Sequence, residues 1–321
     1  MTGTSAHKSA PELTIIIPVY NREKIVTATL KSIVAQTLRP LNIILVDNNS
    51  TDNTFSVLQE WKRVNDSPDF RISLLTETKP GAAAARNRGL DAVTTPYTMF
   101  FDSDDLMLPG HCQRVINGVH KHPDADIFGW DCRSHAVNGN TFLMRFGAED
   151  IFWNNLHQGS MATQRYAART TLFRQAGGWN ESCMGWNDIE LGARLLALNP
   201  EIVRLSGDIS VEIISLENSI TGKSFSAKPA VWEHSMELIE DTIKSKVNPR
   251  LRDKYLRFLN LRRAILAGDY SREGVINDGK RLLQTVIDGE ESAFYRRIYS
   301  AAYRYRALGG RGTHKIFRFL F

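Results

Sequence analysis

Three carboxylates follow the apolar run at residues 97–101 and form an acidic cluster of Asp102, Asp104 and Asp105. Carboxylates this close together repel one another, and a hard divalent cation relieves the repulsion. Mg²⁺ or Mn²⁺ held by one or two carboxylates keeps coordination positions for substrate phosphates. A solvated acidic turn that caps the next helix has the same composition. The cluster alone therefore leaves two interpretations open, a metal and phosphate site or a cap.

The elements around the acidic cluster predict where it lies. Apolar, β-branched runs indicate four buried strands, and apolar residues at helical spacing indicate helices between them. Asn21 is the predicted cap of the first helix. Strands and helices that alternate in this way favour a parallel α/β sheet of nucleotide-binding type. The predicted strands are residues 13–17, 43–46, 72–75 and 97–101.

Polar features follow all four predicted strands. Tyr20, Asp47, the loop at residues 79–81 and Asp102 each come just after a strand. Ligands of parallel α/β sheets collect beyond the carboxyl ends of the strands, so we expect these features to meet at one edge of the sheet. The repeated placement, more than any single residue, predicts a ligand site there.

The order and spacing of four segments resemble the inverting glycosyltransferases of family 2, which have the GT-A fold. The segments are residues 18–21 (Pro-Val-Tyr-Asn), 46–52 (Val-Asp-Asn-Asn-Ser-Thr-Asp), 81–89 (Gly-Ala-Ala-Ala-Ala-Arg-Asn-Arg-Gly) and the acidic cluster. The resemblance covers about residues 13–222. It implies a Rossmann-like α/β fold, with a mixed, mostly parallel sheet flanked by helices and a C-terminal helical extension.

The resemblance also implies a site for a nucleotide-sugar donor. Pro18, Tyr20 and Asp47 are expected to line the nucleoside pocket, with Asp47 accepting hydrogen bonds from the base. Arg86 is expected to lie beside the nucleotide, although on an alanine-rich helix it could also be a solvated charge. Asp47 could merely end a strand, and Tyr20 could pack beneath a loop.

The same resemblance divides the acidic cluster by role. Asp104 is implied as the main ligand of Mn²⁺ or Mg²⁺, and Asp102 as a second ligand close to the ribose. Asp105 is a helper. A cation that bridges both phosphates would stabilise the charge that develops on the departing nucleotide. Several GT-A enzymes supply a downstream histidine to the metal, but the corresponding residues 215–219 contain none.

A second acidic motif lies at residues 185–191 (Gly-Trp-Asn-Asp-Ile-Glu-Leu). It is similar to the family motif whose first carboxylate removes the proton of the acceptor hydroxyl, which gives Asp188 the role of base. Glu190 lies two residues after Asp188, so on a helix the two side chains point in different directions. Glu190 is expected to brace the site or orient the acceptor, with Arg194 as a partner one turn further along the helix. Trp186 is a candidate platform for the acceptor sugar. A helix cap at Asp188 and a core role for Trp186 are the alternatives.

Length and composition predict three regions: a flexible tail at residues 1–12, a GT-A domain at 13–222 and a helical region at 223–321. With 42% hydrophobic and 23% charged residues the chain has an ordinary globular composition. No window reaches the roughly 18 apolar residues of a membrane span, and the first dozen residues lack the apolar core of a secretory signal. Three widely spaced cysteines form no CxxC pair. These features predict a cytoplasmic protein.

The segment after Glu291 is basic and aromatic. It has no acidic residue, while seven arginines and lysines follow. Such a segment suits the phosphates of an anionic membrane or of nucleic acid, or it could dock as a helix. We slightly favour a peripheral contact at the inner face of the cytoplasmic membrane over nucleic acid. The helical segment also offers a surface for oligomer formation.

These features predict an inverting glycosyltransferase that moves a hexosyl or N-acetylhexosaminyl unit from a UDP-sugar to a hydroxyl of a glycan or lipid-linked glycan. Capsule, O-antigen or another surface polysaccharide is the expected product. A nucleotidyltransferase that makes a sugar nucleotide is a second interpretation, although such enzymes have a glycine-rich basic loop where this chain has residues 18–22 (Pro-Val-Tyr-Asn-Arg). A degenerate nucleotide-binding or scaffold protein is the third. The acidic cluster together with Asp188 argues against that loss of activity.

Overall fold

The computed structural model describes residues 10–215 and 224–321, which form two compact units. The first unit contains residues 10–148, 160–181 and 200–215, and the second contains 149–159, 182–199 and 224–321. Most of the predicted tail at residues 1–12 lies outside the described residues. So do residues 216–219, which belong to the segment that corresponds to a metal-binding histidine in several GT-A enzymes.

The four predicted strands and the helices between them are confirmed in the first unit. In order they are β1 (Leu13–Val19), α1 (Val26–Val34), β2 (Leu41–Asp47), α2 (Thr54–Asn65), β3 (Phe70–Thr76), α3 (Ala82–Asp91) and β4 (Tyr97–Phe100). β1 lies between β2 and β4, and β2 lies between β1 and β3, with all neighbours parallel. All seven residues of β1 are buried, because this central strand is covered on both faces.

Further strands complete a seven-stranded mixed sheet in the order β10–β6–β9–β4–β1–β2–β3. β9 runs antiparallel to its neighbours β4 and β6, whereas β10 and β6 are parallel. The predicted mixed, mostly parallel α/β architecture is therefore confirmed. The added elements are α4 (His111–Lys121), β6 (Ile127–Gly129), β9 (Tyr166–Arg169), α6 (Thr170–Gln175) and β10 (Ile202–Arg204).

A second, four-stranded sheet has the order β5–β11–β7–β8. None of its strands is among the four that the sequence pattern predicts. β5 has two residues and β8 is mostly exposed, so neither produces a strong hydrophobic signal. The strands are β5 (Leu106–Met107), β7 (Cys132–His135), β8 (Thr141–Met144) and β11 (Val211–Ile214).

The prediction that Asn21 caps the first helix is wrong. The residue at the start of α1 is Ile25, without a side-chain cap. Asn21 instead adopts a left-handed backbone with φ of 50°, and its Oδ1 accepts a hydrogen bond of 2.8 Å from the backbone N–H of Thr51. The asparagine therefore ties the loop after β1 to the loop after β2, a task that asparagine suits because it tolerates this conformation.

The second unit is helical. Its elements are α5 (Ile151–Gln158), α7 (Asn187–Ala197), α8 (Pro229–Lys246), α9 (Pro249–Arg272), α10 (Ile276–Asp288), α11 (Ala293–Ala307), α12 (Thr313–Phe317) and a 3₁₀ turn (Arg318–Leu320). α5 and α7 come from the middle of the chain, where α7 packs against α8 and α5 against α9. The segments of this unit are thus not contiguous in sequence.

The apolar spacing of residues 230–308 predicts successive helices that are interrupted at Gly268 and Asp269 and again at Gly289. The first of these interruptions is wrong, because α9 continues through both residues. A Cβ atom at Gly268 would lie 2.7 Å from Cβ of Arg306 and 2.8 Å from the carbonyl oxygen of Tyr303. The glycine therefore permits α11 to approach α9 closely, which a sequence pattern cannot distinguish from a helix break. Gly289 does end α10, as expected.

Across the described ranges, no helix combines the length and the apolar character that crossing a lipid bilayer requires.

Candidate active site

Three adjacent parallel strands bring Tyr20, Asp47 and Asp102 to one edge of the large sheet. Val19 at the end of β1 is in register with Asp47 at the end of β2, and the N–H of Phe101 bonds to Ile16 on the other side of β1. Neighbouring strands lie about 4.8 Å apart, so the residues that follow them share a small region. Tyr20 is 54% exposed at this edge.

Asp47 has a buried carboxylate that is only half satisfied. Its side chain is 3% exposed, and Oδ2 accepts a hydrogen bond of 3.1 Å from the backbone N–H of Ser50. Oδ1 is buried and has no hydrogen-bond partner among the described residues. Leaving a charged acceptor unsatisfied is costly, so this oxygen is suited to a ligand N–H or O–H. Pro18 lies beside it, buried in β1 and in register with Val46.

Asn48 fixes the loop that closes this edge, a role that the sequence analysis did not assign. Its Nδ2 donates to the carbonyls of Glu77 and Lys79, and its Oδ1 accepts from the N–H of Gly81 at 2.8 Å. Gly81 has a φ of 121°, which few residues other than glycine adopt, and α3 starts immediately after it. The predicted loop at residues 79–81 is thus held against the end of β2.

Arg86 lies on the inner face of α3 and is not a solvated charge. Its side chain is 7% exposed, and Nη2 donates to Oδ1 of Asp102 at 2.8 Å. The guanidinium lies 4.3 Å from the centroid of the Trp179 ring, a cation–π geometry. Trp179 is buried and packs edge-on against Phe100. Arg86 therefore fixes the orientation of Asp102.

The turn that carries Trp179 is tied to α3 by Asn87. The Oδ1 of Asn87 accepts from the N–H of Trp179 at 2.7 Å, and its Nδ2 donates to the Trp179 carbonyl and to Glu181. Glu181 also forms an ion pair with Lys79. These contacts connect two segments that are about ninety residues apart in sequence. The only sequence signal for Asn87 is its place beside Arg86.

Asp104 faces a cation that the sequence analysis missed. Arg22, in the loop after β1, lies 3.5 Å from Oδ2 of Asp104, and the aspartate side chain is 23% exposed. Burial and the neighbouring Asp102 carboxylate raise the pKa of Asp104, against the opposing effect of Arg22. Burial and the Asp102 charge together therefore outweigh the effect of Arg22 on the pKa of Asp104.

Asp105 is held within the fold. Its side chain is 2% exposed, Oδ2 accepts from Gln164 at 2.5 Å, and Oδ1 accepts from the N–H of Ile214 at 2.8 Å. Burial, followed by the charges of Asp102 and Asp104, raises the pKa of Asp105 well above its ordinary value. Because both oxygens are occupied, Asp105 connects β5 to β11 and β9 and is not a free helper at the acidic cluster.

The residues at this edge fit a divalent cation that is completed by a substrate. Across residues 10–215 and 224–321 no group of three or more histidine, cysteine, aspartate or glutamate side chains could enclose a metal ion. Asp102 and Asp104 remain, both partly exposed and both oxygen donors. Mg²⁺ and Mn²⁺ bound through one or two carboxylates take their other ligands from phosphates and water. Burial and the Asp102 charge both raise the pKa of Asp104, and such a cation relieves the second of these effects.

The second acidic motif lies at the start of α7 in the helical unit. Asp188 is the second residue of α7 and is partly exposed, and its Oδ1 accepts from the N–H of Ile189 at 2.9 Å. The residue at the N-cap position is Trp186, so Asp188 is not the cap. Trp186 has a left-handed backbone with φ of 48°, which is uncommon for a large aromatic residue and is often found at functional sites.

Glu190 forms the expected ion pair with Arg194. Its side chain is 2% exposed, and both carboxylate oxygens accept hydrogen bonds of 2.7 Å from Nε and Nη2 of Arg194. A carboxylate occupied on both oxygens braces α7 and is not free to bind a sugar directly. This geometry favours the bracing role over contact with an acceptor.

Trp186 is half-buried and is covered by a cation that the sequence did not indicate. The guanidinium of Arg262, on α9, lies 4.3 Å from the Trp186 ring centroid, and Trp232 packs on the ring at 4.9 Å. Burial lowers the pKa of Arg262 to about 10, while Asp269 and Asp188 oppose the shift. Helical spacing in α9 identifies Arg262 only as one of many polar positions, so no sequence signal could have found it.

The mixed, mostly parallel sheet and its flanking helices form an α/β fold of the GT-A type. Residues 14–178 match the family described as Glycosyl transferase family 2, and the protein belongs to this family of glycosyltransferases.

Relatives in bacteria support the same assignment. The chain is 24% identical over 267 residues to an uncharacterized glycosyltransferase of Haemophilus influenzae, covering 78% of this chain and 86% of that protein. It is 32% identical over 147 residues to UDP-Glc:alpha-D-GlcNAc-diphosphoundecaprenol beta-1,3-glucosyltransferase WfgD of Escherichia coli, covering 45% and 54%. It is 35% identical over 119 residues to GalNAc(5)-diNAcBac-PP-undecaprenol beta-1,3-glucosyltransferase of Campylobacter jejuni, covering 37% and 38%. The chain thus spans about half or less of the two glucosyltransferases.

Solved structures share the fold. Residues 1–349 of S. aureus TarS, solved in complex with UDP-GlcNAc, superpose with a TM-score of 0.67 at 16% identity, covering 91% of each chain. The mannosyltransferase PcManGT of Pyrobaculum calidifontis, in complex with GDP-Man and Mn²⁺, superposes with a TM-score of 0.56 at 16% identity, covering 96% of this chain and 83% of that one.

Proposed function

We propose that the protein is an inverting glycosyltransferase that moves a sugar from a UDP-sugar to a hydroxyl of a glycan. The observation that carries the proposal is the buried Oδ1 of Asp47, which has no partner at the end of β2 among the described residues. A nucleobase or ribose supplies the N–H or O–H donor that this oxygen lacks. Asp102 follows the strand that lies two places from the strand of Asp47, and Arg86 holds it there. Asp102 and Asp104 add the carboxylates that the cation of a nucleoside diphosphate requires.

The preference for a uridine donor comes from the relatives. The name of the E. coli enzyme specifies UDP-Glc, and TarS was solved with UDP-GlcNAc. PcManGT was solved with GDP-Man, so GDP-mannose is the donor to test against UDP-sugars. Tyr20, Asp47 and Pro18 are the residues that we assign to the nucleoside.

Asp188 is the proposed base. In a single displacement the acceptor oxygen attacks the anomeric carbon while the bond from that carbon to the phosphate oxygen breaks. The electron pair of that bond leaves on the nucleoside diphosphate, and the hydroxyl proton passes to a carboxylate. Attack opposite the leaving group inverts the configuration. Glu190 and Arg194 brace the helix that carries Asp188, and Trp186, which remains partly exposed beside Arg262, is the proposed contact for the acceptor sugar.

Asp102 and Asp104 are the proposed ligands of Mn²⁺ or Mg²⁺. When bound, such an ion supplies positive charge to the leaving diphosphate. The contribution of the chain is to hold Asp102 through Arg86 and to keep Asp104 partly exposed beside Arg22.

The proposed acceptor is a glycan, including one linked to a lipid diphosphate, in the synthesis of a bacterial surface polysaccharide. The names of the E. coli and C. jejuni relatives specify diphosphoundecaprenol-linked or PP-undecaprenol-linked substrates. Such an acceptor would place the enzyme in the cytoplasm at the inner face of the cytoplasmic membrane.

The purified full chain should release nucleoside diphosphate from its preferred donor. The test compares UDP-glucose, UDP-galactose, UDP-GlcNAc and GDP-mannose, each with Mn²⁺ and with EDTA. Metal-dependent release of UDP supports the proposal. Release of pyrophosphate from UTP and a sugar 1-phosphate would instead identify a nucleotidyltransferase.

Asp188→Asn separates binding from catalysis. We expect UDP affinity close to that of the parent and transfer reduced by about 10²-fold or more, as is typical when a general base is removed. Asp150→Asn, an exposed change in the same unit, is the matched control and should retain transfer. Full transfer by Asp188→Asn would remove Asp188 from the mechanism.

A further inference from the structure

Helix α11 has one buried and one exposed face. Its buried residues are Ile298, Tyr299 and Ala302, and the last two pack in the core of the helical unit. The exposed positions recur at intervals of three and four, which places them on one side of the helix. The positions on this side are Phe294, Arg297, Ala301, Arg304, Tyr305 and, directly after the helix, Leu308, while Ala293 and Arg296 near the start of α11 are exposed as well.

Large apolar side chains protrude from this face and from the segment that follows it. Phe294 is 54% exposed, Leu308 is 90% exposed and Phe319 in the 3₁₀ turn is 91% exposed. The hydroxyl of Tyr305 donates to the carbonyl of Arg311 at 3.2 Å, so the face of α11 continues into this segment. Single exposed apolar residues are ordinary, but a group of them beside one another indicates a binding surface.

The charged side chains of residues 292–321 are all positive. No acidic residue follows Glu291 in the sequence. Arg297, Arg304, Arg311 and Lys315 are exposed, and none of them forms an ion pair within residues 10–215 and 224–321. Arg306, which points to the other side of α11, is paired with Asp269 at 2.8 Å. Unpaired cations thus coincide with the exposed apolar residues.

We propose that this basic-apolar face, made of Phe294, Arg297, Arg304, Tyr305, Leu308, Arg311, Lys315 and Phe319, docks onto the surface of an anionic lipid bilayer. Apolar side chains inserted at the headgroup boundary together with cations that attract anionic lipids are the two requirements of an interfacial helix. The inference is independent of the proposed glycosyl transfer.

The side chains favour lipid over two other partners. Nucleic acid would use aromatic rings for stacking, but it gives no favourable environment to an aliphatic residue such as Leu308. A second copy of the chain that paired through the same face would bring the cations of both copies together. A bilayer of anionic lipid buries the apolar residues and neutralises the cations at once.

Sedimentation of the full chain with vesicles tests the proposal. We expect binding to vesicles of phosphatidylcholine with phosphatidylglycerol, weaker binding at high salt and little binding to phosphatidylcholine alone. Arg297→Glu with Arg304→Glu should lower the partition coefficient about tenfold or more, because two attractive charges become repulsive. Phe294→Ser with Leu308→Ser should also lower it.

Matched controls come from the first unit. Lys31→Glu with Lys121→Glu makes the same change in net charge at exposed positions, and Phe142→Ser with Leu143→Ser removes residues that are 55% and 51% exposed. Both controls should bind vesicles like the parent. UDP release from the donor should be unchanged in all four double variants, which separates this inference from the proposed catalysis.

Several outcomes would overturn the proposal. They are a parent protein that does not sediment with anionic vesicles, and Arg297 and Arg304 variants that bind as well as the controls. Loss of oligonucleotide binding or of self-association in these variants, without any vesicle binding by the parent, would assign the face to nucleic acid or to a second copy.

Discussion

Arg86 holds Asp102 by one carboxylate oxygen and leaves the other available. Nη2 of the arginine lies 2.8 Å from Oδ1 of Asp102, and the arginine is 7% exposed while the aspartate is 31% exposed. Oδ2 of Asp102 makes no hydrogen bond with any of the residues that the structure describes. The pair therefore orients a carboxylate at the sheet edge with an oxygen free for a ligand.

Arg86→Lys should weaken donor binding. Lysine cannot both stack flat on Trp179 and keep the directed bond to Asp102, so the carboxylate loses its fixed orientation. We expect UDP affinity, measured calorimetrically with Mn²⁺, to fall about tenfold, the effect of roughly 1.4 kcal/mol. Arg88→Lys, at an exposed position of the same helix, should bind UDP like the parent. Equal affinities of the two variants would contradict the role of Arg86.

Asp47→Asn should reduce UDP affinity without unfolding the first unit. The amide keeps the size of the carboxylate and one acceptor oxygen for the N–H of Ser50, but it presents a donor where Oδ1 now lies. A mismatched buried polar group costs about 1–3 kcal/mol, or roughly fivefold to 150-fold in affinity. Asp52→Asn is the control, since Asp52 accepts hydrogen bonds from the backbone N–H groups of Glu23 and Thr54 and is not assigned to the nucleoside. If both variants bind UDP equally well, Asp47 does not contact the nucleoside.

Asp104→Asn should remove the effect of the metal on donor binding. The parent should bind UDP more tightly with Mn²⁺ than with EDTA, because the cation joins the diphosphate to the carboxylates. In Asp104→Asn the UDP affinities with Mn²⁺ and with EDTA should become equal. Asp124→Asn, at an exposed position outside the acidic cluster, should keep the difference between them. A metal effect that survives in Asp104→Asn would exclude Asp104 as the main ligand.

Glu190→Gln should destabilise the helical unit. The change removes the negative charge of Glu190, which both Nε and Nη2 of Arg194 contact, and breaking a buried ion pair costs about 3–5 kcal/mol. Glu60 and Arg63 form the same two-bond geometry on the exposed face of α2, so Glu60→Gln is the matched control and should leave the unfolding free energy nearly unchanged. Urea unfolding measures the free energy of unfolding of the parent and of both variants. Similar small effects of both substitutions would mean that the Glu190–Arg194 pair does not brace α7.

His111 should make the first unit less stable in acid. Burial, with a smaller effect from Arg114, lowers the pKa of His111 to about 3, whereas an unfolded histidine has a pKa of about 6.5. The unfolded chain therefore binds this proton more readily than the folded one. The stabilising contribution is complete above about pH 6.5 and is lost by up to about 1.4 kcal/mol per pH unit as the pH falls towards the lower pKa.

The contribution of His111 is measured as the change in the free energy of unfolding between about pH 7.5 and about pH 5. His111→Gln should show a smaller loss of stability between the two than the parent does. His234→Gln, an exposed change on α8, should behave like the parent. An unchanged pH dependence in His111→Gln would show that the folded state does not exclude the proton from His111.

The strand pattern carried most of what could be predicted about the donor site. β1, β2 and β4 are buried on both faces, so their sequences are continuous apolar runs whose ends are marked by polar residues. This local signal is enough to assign Tyr20, Asp47 and Asp102 to one edge. It also explains the miss at Asn21, because the same residue type serves as a helix cap and as a left-handed turn residue.

The partners that a side chain contacts at the site come from residues that are distant in sequence. The two oxygens of Asp105 bond to Gln164 and Ile214, and nothing near Asp105 in the chain distinguishes it from Asp104. Arg262 lies on Trp186 only because α9 packs in the unit that contains α7.

The sequence by itself determined the alternation of strands and helices, the polar edge and the family, because each depends on the order and spacing of neighbouring residues. Only the tertiary structure decided how the acidic cluster is divided. It pairs Asp102 with Arg86, sets Arg22 against Asp104 and buries Asp105 in hydrogen bonds. The physical reason is that hydrogen-bond satisfaction and desolvation depend on the whole packed environment of a carboxylate, which local spacing does not encode.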